Sequence, residues 1–259
     1  MKYYKQLIVL CLSLLFLGAC SSNSVKYTVM TYNIRHGLGM DRVLDLERTA
    51  RVIRAVDPDI LILNEMDHGT ARSFGVLQAD SLGLELNMHS VFGRSIDYDG
   101  GQYGNALLTK YPLIKFEVID LSVDSLREGR SVFLAHLDLG SDTLIVMGTH
   151  LGLAPEEQQH QVARILQVIP DSPRLILTGD FNFEPDSDPY TRINEHLTDG
   201  ILKIKANPEK TYPADKPARR IDYIFVGEDI KPVSSQAIQA IDLSTASDHY
   251  PQVLEFMIR

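Results

Sequence analysis

Two short apolar runs set the kind of fold open to this chain. Ile60 to Leu63 begins after Asp59 and closes in Asn64-Glu65. Leu175 to Leu177 begins after Arg174 and closes in Thr178-Gly179-Asp180. Each is too short for a helix and is bounded by polar or turn-forming residues, so each reads as a buried strand. Both deliver a carboxylate where the strand stops. After the second, Asp180 and Asn182 sit two residues apart in GDFN. Oxygen ligands of this kind suit Mg²⁺, which binds through one or two carboxylates plus substrate phosphate. Taken alone, a strand ending in Gly-Asp is equally an ordinary turn.

Other elements surround these runs. Lys26 to Ile34 alternates around Tyr27, Val29 and Thr31 and reads as a strand. Asp45 is placed to cap a helix through Val56, with Glu47 in its first turn. Leu46, Ala50, Ile53 and Val56 recur at helical spacing, and Arg48, Arg51 and Arg54 form a solvated opposite face. Phe74 to Leu82 is expected to be helical. Leu86 to Phe92 and Ala106 to Thr109 are expected strands, with a loop from Asp97 to Gly104 between them. Ile114 to Leu121, Ser131 to Leu137 and Thr143 to Thr149 suggest antiparallel strands, the last two joined by a turn at Gly140. Pro155 suits the first turn of a helix reaching Val168. A loop or short helix is expected near Asp186 to His196, a loop from Asn207 to Arg219, and strands at Ile221 to Val226 and Val253 to Ile258. Strand–helix–strand units followed by a meander argue for an α/β fold of mixed sheets with helices outside.

The amino terminus reads as a processing segment. Lys2 and Lys5 precede an apolar run from Leu7 to Phe16, broken only by Ser13, and then LGAC. The run is shorter than the roughly 20 residues a spanning helix needs, and its layout is that of a secretory signal. LGAC resembles the bacterial lipoprotein lipobox, so residues 1–19 are expected to be removed and Cys20 to be acylated. Ser21 to Ser24 then form a short tether, and 26–259 form one domain. Ser21, where an acidic residue would favour inner-membrane retention, points to the outer membrane, on its periplasmic or surface face. Only Cys11 and Cys20 exist. The mature domain therefore has no disulfide, no thiolate zinc site and no cysteine nucleophile. Without the signal's two lysines, the chain carries 23 basic against 34 acidic residues. That balance disfavours long nucleic acid tracts, whose binding relies on phosphate neutralisation. It does not exclude phosphate chemistry, because a bound cation inverts local charge.

Polar residues collect at strand ends. Asn33 lies in TYNIRHG, Glu65 in NEMD, His150 in GTHLG, Asp180 and Asn182 in GDFN, Asp222 in RIDYIF, and Asp248 and His249 in SDHYP. Each has a plain local explanation: Asn33 a turn, His150 a core histidine, Asp222 a partner for Arg219 or Arg220, Asp248 a helix cap. Their joint order along the chain is what carries information.

These stretches, with YGNALLTKYP, resemble the endonuclease/exonuclease/phosphatase superfamily. It includes pancreatic-type deoxyribonucleases, abasic-site endonucleases, inositol polyphosphate phosphatases and neutral sphingomyelinases. The resemblance covers essentially the whole mature chain. It implies a four-layer α/β sandwich, two mixed sheets face to face with helices outside and the active site at one rim. It further implies that Glu65, with Asn33 beside it and Asp248 near it, holds the metal, Mg²⁺ or in its place Mn²⁺. By the same likeness Asp180 and Asn182 orient the attacking water, and His249 contacts phosphate. Asp222 holds an active-site histidine in its tautomer, and His150 assists the leaving group, since histidine titrates near neutral pH.

The chain also departs from the pattern. Position 35 is Arg where the abasic-site branch has an acidic metal contact, so Arg35 becomes a candidate phosphate contact and a second metal ligand is in doubt. His36 is a candidate for the rim. Tyr103 and Asn105 are candidate substrate contacts, with packing an equal reading for Tyr103. Arg72 and Arg130 read first as surface ion pairs and second as anion contacts. The expected activity is metal-dependent phosphodiester or phosphomonoester hydrolysis on a small molecule or lipid headgroup. The alternatives are an extracellular nuclease and a non-catalytic binding lipoprotein. A monomer without a stable nucleic acid complex is expected.

Overall fold

The computed structural model describes residues 25–204, 206–239 and 245–259. The expected signal, Cys20 acylation site and tether lie outside the described residues. The chain runs β1 (Lys26–Asn33), α1 (Leu46–Val56), β2 (Ile60–His68), α2 (Gln78–Leu86), β3 (His89–Tyr98), β4 (Gly101–Thr109) and β5 (Leu113–Asp120). It continues β6 (Ser131–Asp138), β7 (Thr143–His150), α3 (Pro155–Val168), β8 (Leu175–Asp180), α4 (Asp188–Asn194), β9 (Thr198–Asp199) and α5 (Gly200–Lys203). It closes with β10 (Asp222–Val226), β11 (Ile230–Ala237) and β12 (Gln252–Ile258).

The strands form two six-stranded sheets, ordered β11-β12-β1-β2-β4-β3 and β5-β6-β7-β8-β10-β9. Both are mixed. β1 and β2 pair in parallel, as do β7 and β8, and the remaining pairs are antiparallel. Val29, Ile60, Ile62, Leu107, Phe133, Val146, Ile176 and Leu254 fill the space between the sheets. On the outer face of the first sheet Met30, Tyr32, Leu61 and Leu63 pack under Ala50 and Ile53 of α1 and Leu82 of α2. On the second, Met147, Leu175 and Leu177 pack under Val162 and Ile165 of α3. This explains the unbroken apolar runs. Ile60 and Ile62 face the other sheet while Leu61 and Leu63 face helices, so neither face meets water. The result is the expected four-layer α/β sandwich.

Local physics fixes the ends of α1. Asp45 accepts a hydrogen bond from the Arg48 N–H at 3.0 Å, and Asp57 closes the helix in a left-handed conformation before Pro58. The arginines of its outer face pair with Asp41, Asp45, Glu47 and Glu85. Four expectations need correction. The second helix spans Gln78–Leu86, whereas Phe74 has φ 57° and is 86% exposed. The loop expected over Asp97 to Gly104 narrows to a turn at Asp99-Gly100, because β3 and β4 pair down to Tyr98 and Gly101. β11 was not anticipated. It is an edge strand, tolerates Pro232 at a register shift, and lacks an alternating apolar pattern. Finally, Glu65 does not end β2, which continues to His68 beyond a register shift between Leu63 and Met66.

Candidate active site

The two parallel pairs aim their carboxyl ends at the same rim. In one sheet Asn33 registers with Asn64. In the other His150 registers with Asp180, and Asp222 of β10 lies opposite Asp180. The segment from Ser247 to His249 leads into β12 and is tied to β1 by the Ser247 hydroxyl, which donates to the Asn33 carbonyl at 2.7 Å. Backbone geometry here is unusual. Arg35, His36, Glu65 and Asn182 all have φ between 45° and 58°. Left-handed non-glycine residues cost of order 1–3 kcal/mol each and persist where surroundings overdetermine them, most often at functional sites. Glu65 takes this conformation at the β2 bulge, which turns its side chain into the cleft. Gly179 meets a different constraint: a Cβ on it would fall 1.9 Å from the Thr149 carbonyl oxygen, so only glycine lets β8 approach β7 this closely.

Asp180 is the hub. Its Oδ1 accepts from the Asn182 N–H and its Oδ2 from Asn33 Nδ2, both at 3.0 Å. Nε2 of His249 and Nε2 of His150 lie 3.6 Å and 3.5 Å from the same Oδ2. Asn33 Nδ2 also donates to Glu65 Oε1 at 3.0 Å, while its Oδ1 accepts from the Arg35 N–H. That backbone donor fixes which way the amide points. Asn33, expected among the metal ligands, therefore presents its nitrogen to two carboxylates and spaces them.

Asn64, which no sequence pattern singles out, clamps the two sheets beneath the site. Its Oδ1 accepts from the Asp180 N–H at 3.0 Å, and its Nδ2 donates to Asn105 Oδ1 at 2.8 Å and the Thr149 carbonyl at 2.9 Å. Asn105, expected to touch substrate, is buried in this support and does not line the cleft. The only sequence signal for Asn64 was its place beside Glu65 in NEMD.

His249 donates Nδ1–H to Asp222 Oδ2 at 3.0 Å. Burial alone pulls the imidazolium down, but the charges of Asp222, Asp180 and Asp248 and the Asp222 hydrogen bond outweigh it, and the pKa rises to about 10. His249 is a cation at neutral pH. Asp180 moves up to about 7, first through burial, then through Asp222 and Glu65, with His249 and Asn33 opposing. Burial likewise raises the Glu65 carboxyl, with Asp248 adding to it.

His150 differs from expectation. Burial, then Arg130 and His249, hold its pKa well below the ordinary histidine value, so the ring is neutral rather than poised near pH 7. Arg130 Nη1 lies 3.2 Å from Nδ1. A guanidinium has only donors, so Nδ1 accepts and the ring proton sits on Nε2, aimed at Asp180 Oδ2 3.5 Å away. Asn182 Nδ2, which donates to the Leu151 carbonyl, packs 3.1 Å from the same nitrogen without accepting from it. Arg130 is itself buried and pairs with Glu128 at 2.6 Å. Its reading as a surface pair misses this inner contact.

The cleft, about 360 Å³, is lined by Glu65, Asp180, Asn182, Asp248, His150 and His249 at its floor. Its walls bring Arg72, Arg130, Arg219, Tyr98, Tyr103 and Tyr212. Arg72 makes a two-pronged pair with buried Asp67 and stacks 4.5 Å over the Tyr98 ring. Tyr212 packs 4.8 Å from the His249 ring. Arg35 pairs with Asp248 at 3.7 Å and is not part of the lining. His36 is also set back: its carbonyl accepts from Gln78 Nε2 at 2.8 Å, and burial and Arg72 push its ring down to about 4.

Asp180, Asp222 and His249 bring ligand-type atoms within 4.8 Å of one another and form a possible metal site. However, both nitrogens of His249 face carboxylates, and a cation between them would have to replace its protons. Glu65 and Asp248 fit a divalent ion better. Both face the cleft with oxygen donors, and Glu65 has no cationic side chain paired to it among the described residues. A half-buried carboxylate in that state is relieved by a hard cation.

The sequence model of the Endonuclease/Exonuclease/phosphatase family matches residues 30–249. The chain is 28% identical over 247 residues to the uncharacterized protein YbhP of Escherichia coli (strain K12), covering 87% of this chain and 94% of YbhP. Among solved structures, an endonuclease/exonuclease/phosphatase from Bacteroides vulgatus superposes with a TM-score of 0.74 at 20% identity, over 91% of this chain and 100% of that one. A mannosyl-6-phosphatase from Bacteroides thetaiotaomicron VPI-5482 gives 0.73 at 18% identity, over 90% of this chain and 100% of that one. At such identities the structural likeness is one of fold.

Proposed function

The chain belongs to the endonuclease/exonuclease/phosphatase family, whose members hydrolyse phosphoester bonds, and from that premise we propose that it is a metal-dependent phosphoesterase. The observation that carries this reading is the network joining Glu65, Asn33, Asp180, His249 and Asp222 at one end of the cleft. In it Asn33 bridges the Glu65 carboxylate to Asp180, the candidate base, which in turn faces the His249 cation at 3.6 Å.

Hydrolysis needs an aligned water, stabilisation of charge on the phosphoryl oxygens, and a proton or cation for the leaving oxygen. Asp180 suits the first task. Its pKa near 7 matches a base that takes a proton from water at neutral pH, and its two hydrogen bonds hold it in one orientation. His249 supplies a positive charge that does not have to be created during reaction, the kind of preorganised donor that stabilises developing anions. Asn182, at φ 57°, sets its side-chain amide against His150 and the Leu151 carbonyl. His150 contributes a neutral Nε2–H, with Arg130 fixing the tautomer from behind. It is a hydrogen-bond donor to the phosphoryl or leaving oxygen and not an imidazolium acid. Glu65 and Asp248 would hold Mg²⁺, or Mn²⁺ in its place, and the ion would act there as Lewis acid and template.

The test is hydrolysis of bis(p-nitrophenyl) phosphate by the purified protein with Mg²⁺ against EDTA. Turnover with Mg²⁺ that EDTA abolishes is expected, and Glu65→Ala and His249→Ala should each eliminate it. Unchanged turnover in either variant would overturn the assignment.

A further inference from the structure

The topology fixes where the amino terminus leaves the domain relative to the cleft. β1 enters at Lys26 and ends at Asn33, at the cleft. Its parallel neighbour pairs Val29 with Ile60 and Asn33 with Asn64, so both strands start at the opposite pole. The other sheet repeats this, with Ile145 opposite Leu175 at the start and His150 opposite Asp180 at the site. Val25 therefore emerges at the pole away from the cleft. That pole is independently marked. Lys26 registers with Met257 near the carboxyl end. Arg174 pairs with Asp142 and Asp229 and donates to the Arg259 carbonyl. The Gly140 turn between β6 and β7 lies there too.

The distances decide the consequence. Lys26 to Asn33 is seven strand steps, about 23 Å at roughly 3.3 Å per residue. From Cys20 to Val25 there are five steps, at most about 18 Å even when fully extended. A chain anchored at Cys20 therefore cannot turn the domain over to seat its cleft mouth face-down on the bilayer that holds the anchor, because that would need Val25 about 23 Å above it.

We infer that, with Cys20 acylated, the cleft does not open onto the anchoring bilayer, and that the substrate is a water-soluble phosphoester taken from the aqueous compartment. This deepens the phosphoesterase reading, on which it rests for the chemistry, and it replaces the lipid-headgroup option. It also bears on Leu126 and Leu153, 94% and 74% exposed. Leu153 lines the cleft, and Leu126 sits in the loop that carries Glu128 and Arg130. Beside a lipid surface they would serve as an insertion edge. With the cleft barred from facing the bilayer, that edge is not presented to it face-on.

The mature chain has no cysteine other than Cys20, so single labelling sites are clean. Leu126→Cys marks the cleft pole and Ser141→Cys the anchor pole. Each lipidated full-length variant carries a fluorescent donor, in phosphatidylethanolamine/phosphatidylglycerol vesicles that contain an acceptor lipid. Energy transfer should be several-fold stronger from position 141 than from 126, and a 20-residue Gly/Ser insertion after Ser24 should erase the difference. Equal or reversed transfer with the native tether overturns the inference, as does mass spectrometry showing an unmodified Cys20 in membrane fractions. In the same vesicles, the native-tether protein should hydrolyse a soluble phosphodiester. Release of vesicle headgroups at a rate equal to that of the long-tether protein overturns the substrate assignment. Orientation is read without turnover, so label asymmetry with no hydrolysis of any phosphoester would overturn the phosphoesterase reading and leave the orientation standing.

Discussion

Nδ1 of His249 lies 3.0 Å from Oδ2 of Asp222, with both side chains buried and the second carboxylate oxygen of Asp222 left without a partner. The aspartate is committed to the histidine. It holds the ring so that Nε2 faces Asp180 and the cleft, and it keeps the ring charged.

This predicts a pH dependence with a definite sign. The folded pKa of His249, about 10, is above the roughly 6.5 of an unfolded histidine. Its contribution to stability is therefore fully present below pH 6.5 and is lost as pH rises towards 10. Metal-free protein should show a falling Tm across that window. Asp222→Asn keeps the hydrogen bond and removes the charge. It should flatten the fall, move the basic limb of the kcat/KM profile to lower pH, and reduce kcat/KM about 100-fold, the upper end for loss of such an orienting partner. Scanning calorimetry and pH-rate profiles of the two proteins check this.

Glu65 offers a prediction that separates function from strain. At φ 58° a side chain with a Cβ is penalised by about 1–2 kcal/mol relative to glycine. Glu65→Gly should therefore be more stable than Glu65→Ala by about 1 kcal/mol in urea denaturation. Both should lose the Mg²⁺-induced rise in Tm and the metal-dependent turnover. Equal stabilities would mean that the bulge relaxes on losing the side chain.

Much of this arrangement is visible in the residues before any fold is known. The apolar runs at Ile60 and Leu175 announce strands covered on both faces, and the carboxylates that follow them mark the rim. The pairing of Asp222 with a histidine comes from the family resemblance alone, since the residues themselves offer Arg219 or Arg220 as its partner. The long-range partners were not legible. Arg130 reads as a surface cation because its local neighbour is Glu128, and only the register of β6 against β7 brings it to His150. Asn64 looks like the tail of a strand, and its role depends on an opposite sheet. Glu65 was expected at a strand end because periodicity does not show a bulge. β11 carries no sequence signal, because an edge strand half open to solvent need not alternate.

Asn64 is predicted to be a stability residue first. All three of its contacts cross between sequence-distant segments, and it satisfies the Asp180 N–H directly. Asn64→Leu preserves volume and leaves the Asp180 N–H and the Thr149 carbonyl unpaired in the core. Buried unpaired groups cost about 1–3 kcal/mol each, so a loss of roughly 2–4 kcal/mol is expected. Urea denaturation should show a lower midpoint with an unchanged m-value. A cost below about 0.5 kcal/mol would mean that water or relaxation replaces the clamp.

Arg130 is predicted to act through His150 and not through charge alone. Its guanidinium donates to Nδ1 and so confines the proton to Nε2. Arg130→Met should free the ring to populate both neutral tautomers and turn part of the population away from the cleft. kcat should fall about 10- to 100-fold, at or below the lower end of the roughly 10²–10⁴-fold that a positioned proton-transfer group contributes, with a smaller change in KM. Nitrogen-15 NMR of the His150 ring gives the direct readout: a single Nε2–H tautomer in the parent and a mixture in Arg130→Met. Arg130→Lys retains the positive charge on a shorter side chain without the planar fork, and it should resemble the Met variant in tautomer balance. Restoration of the parent tautomer by lysine would show that field, rather than hydrogen-bond geometry, sets the ring.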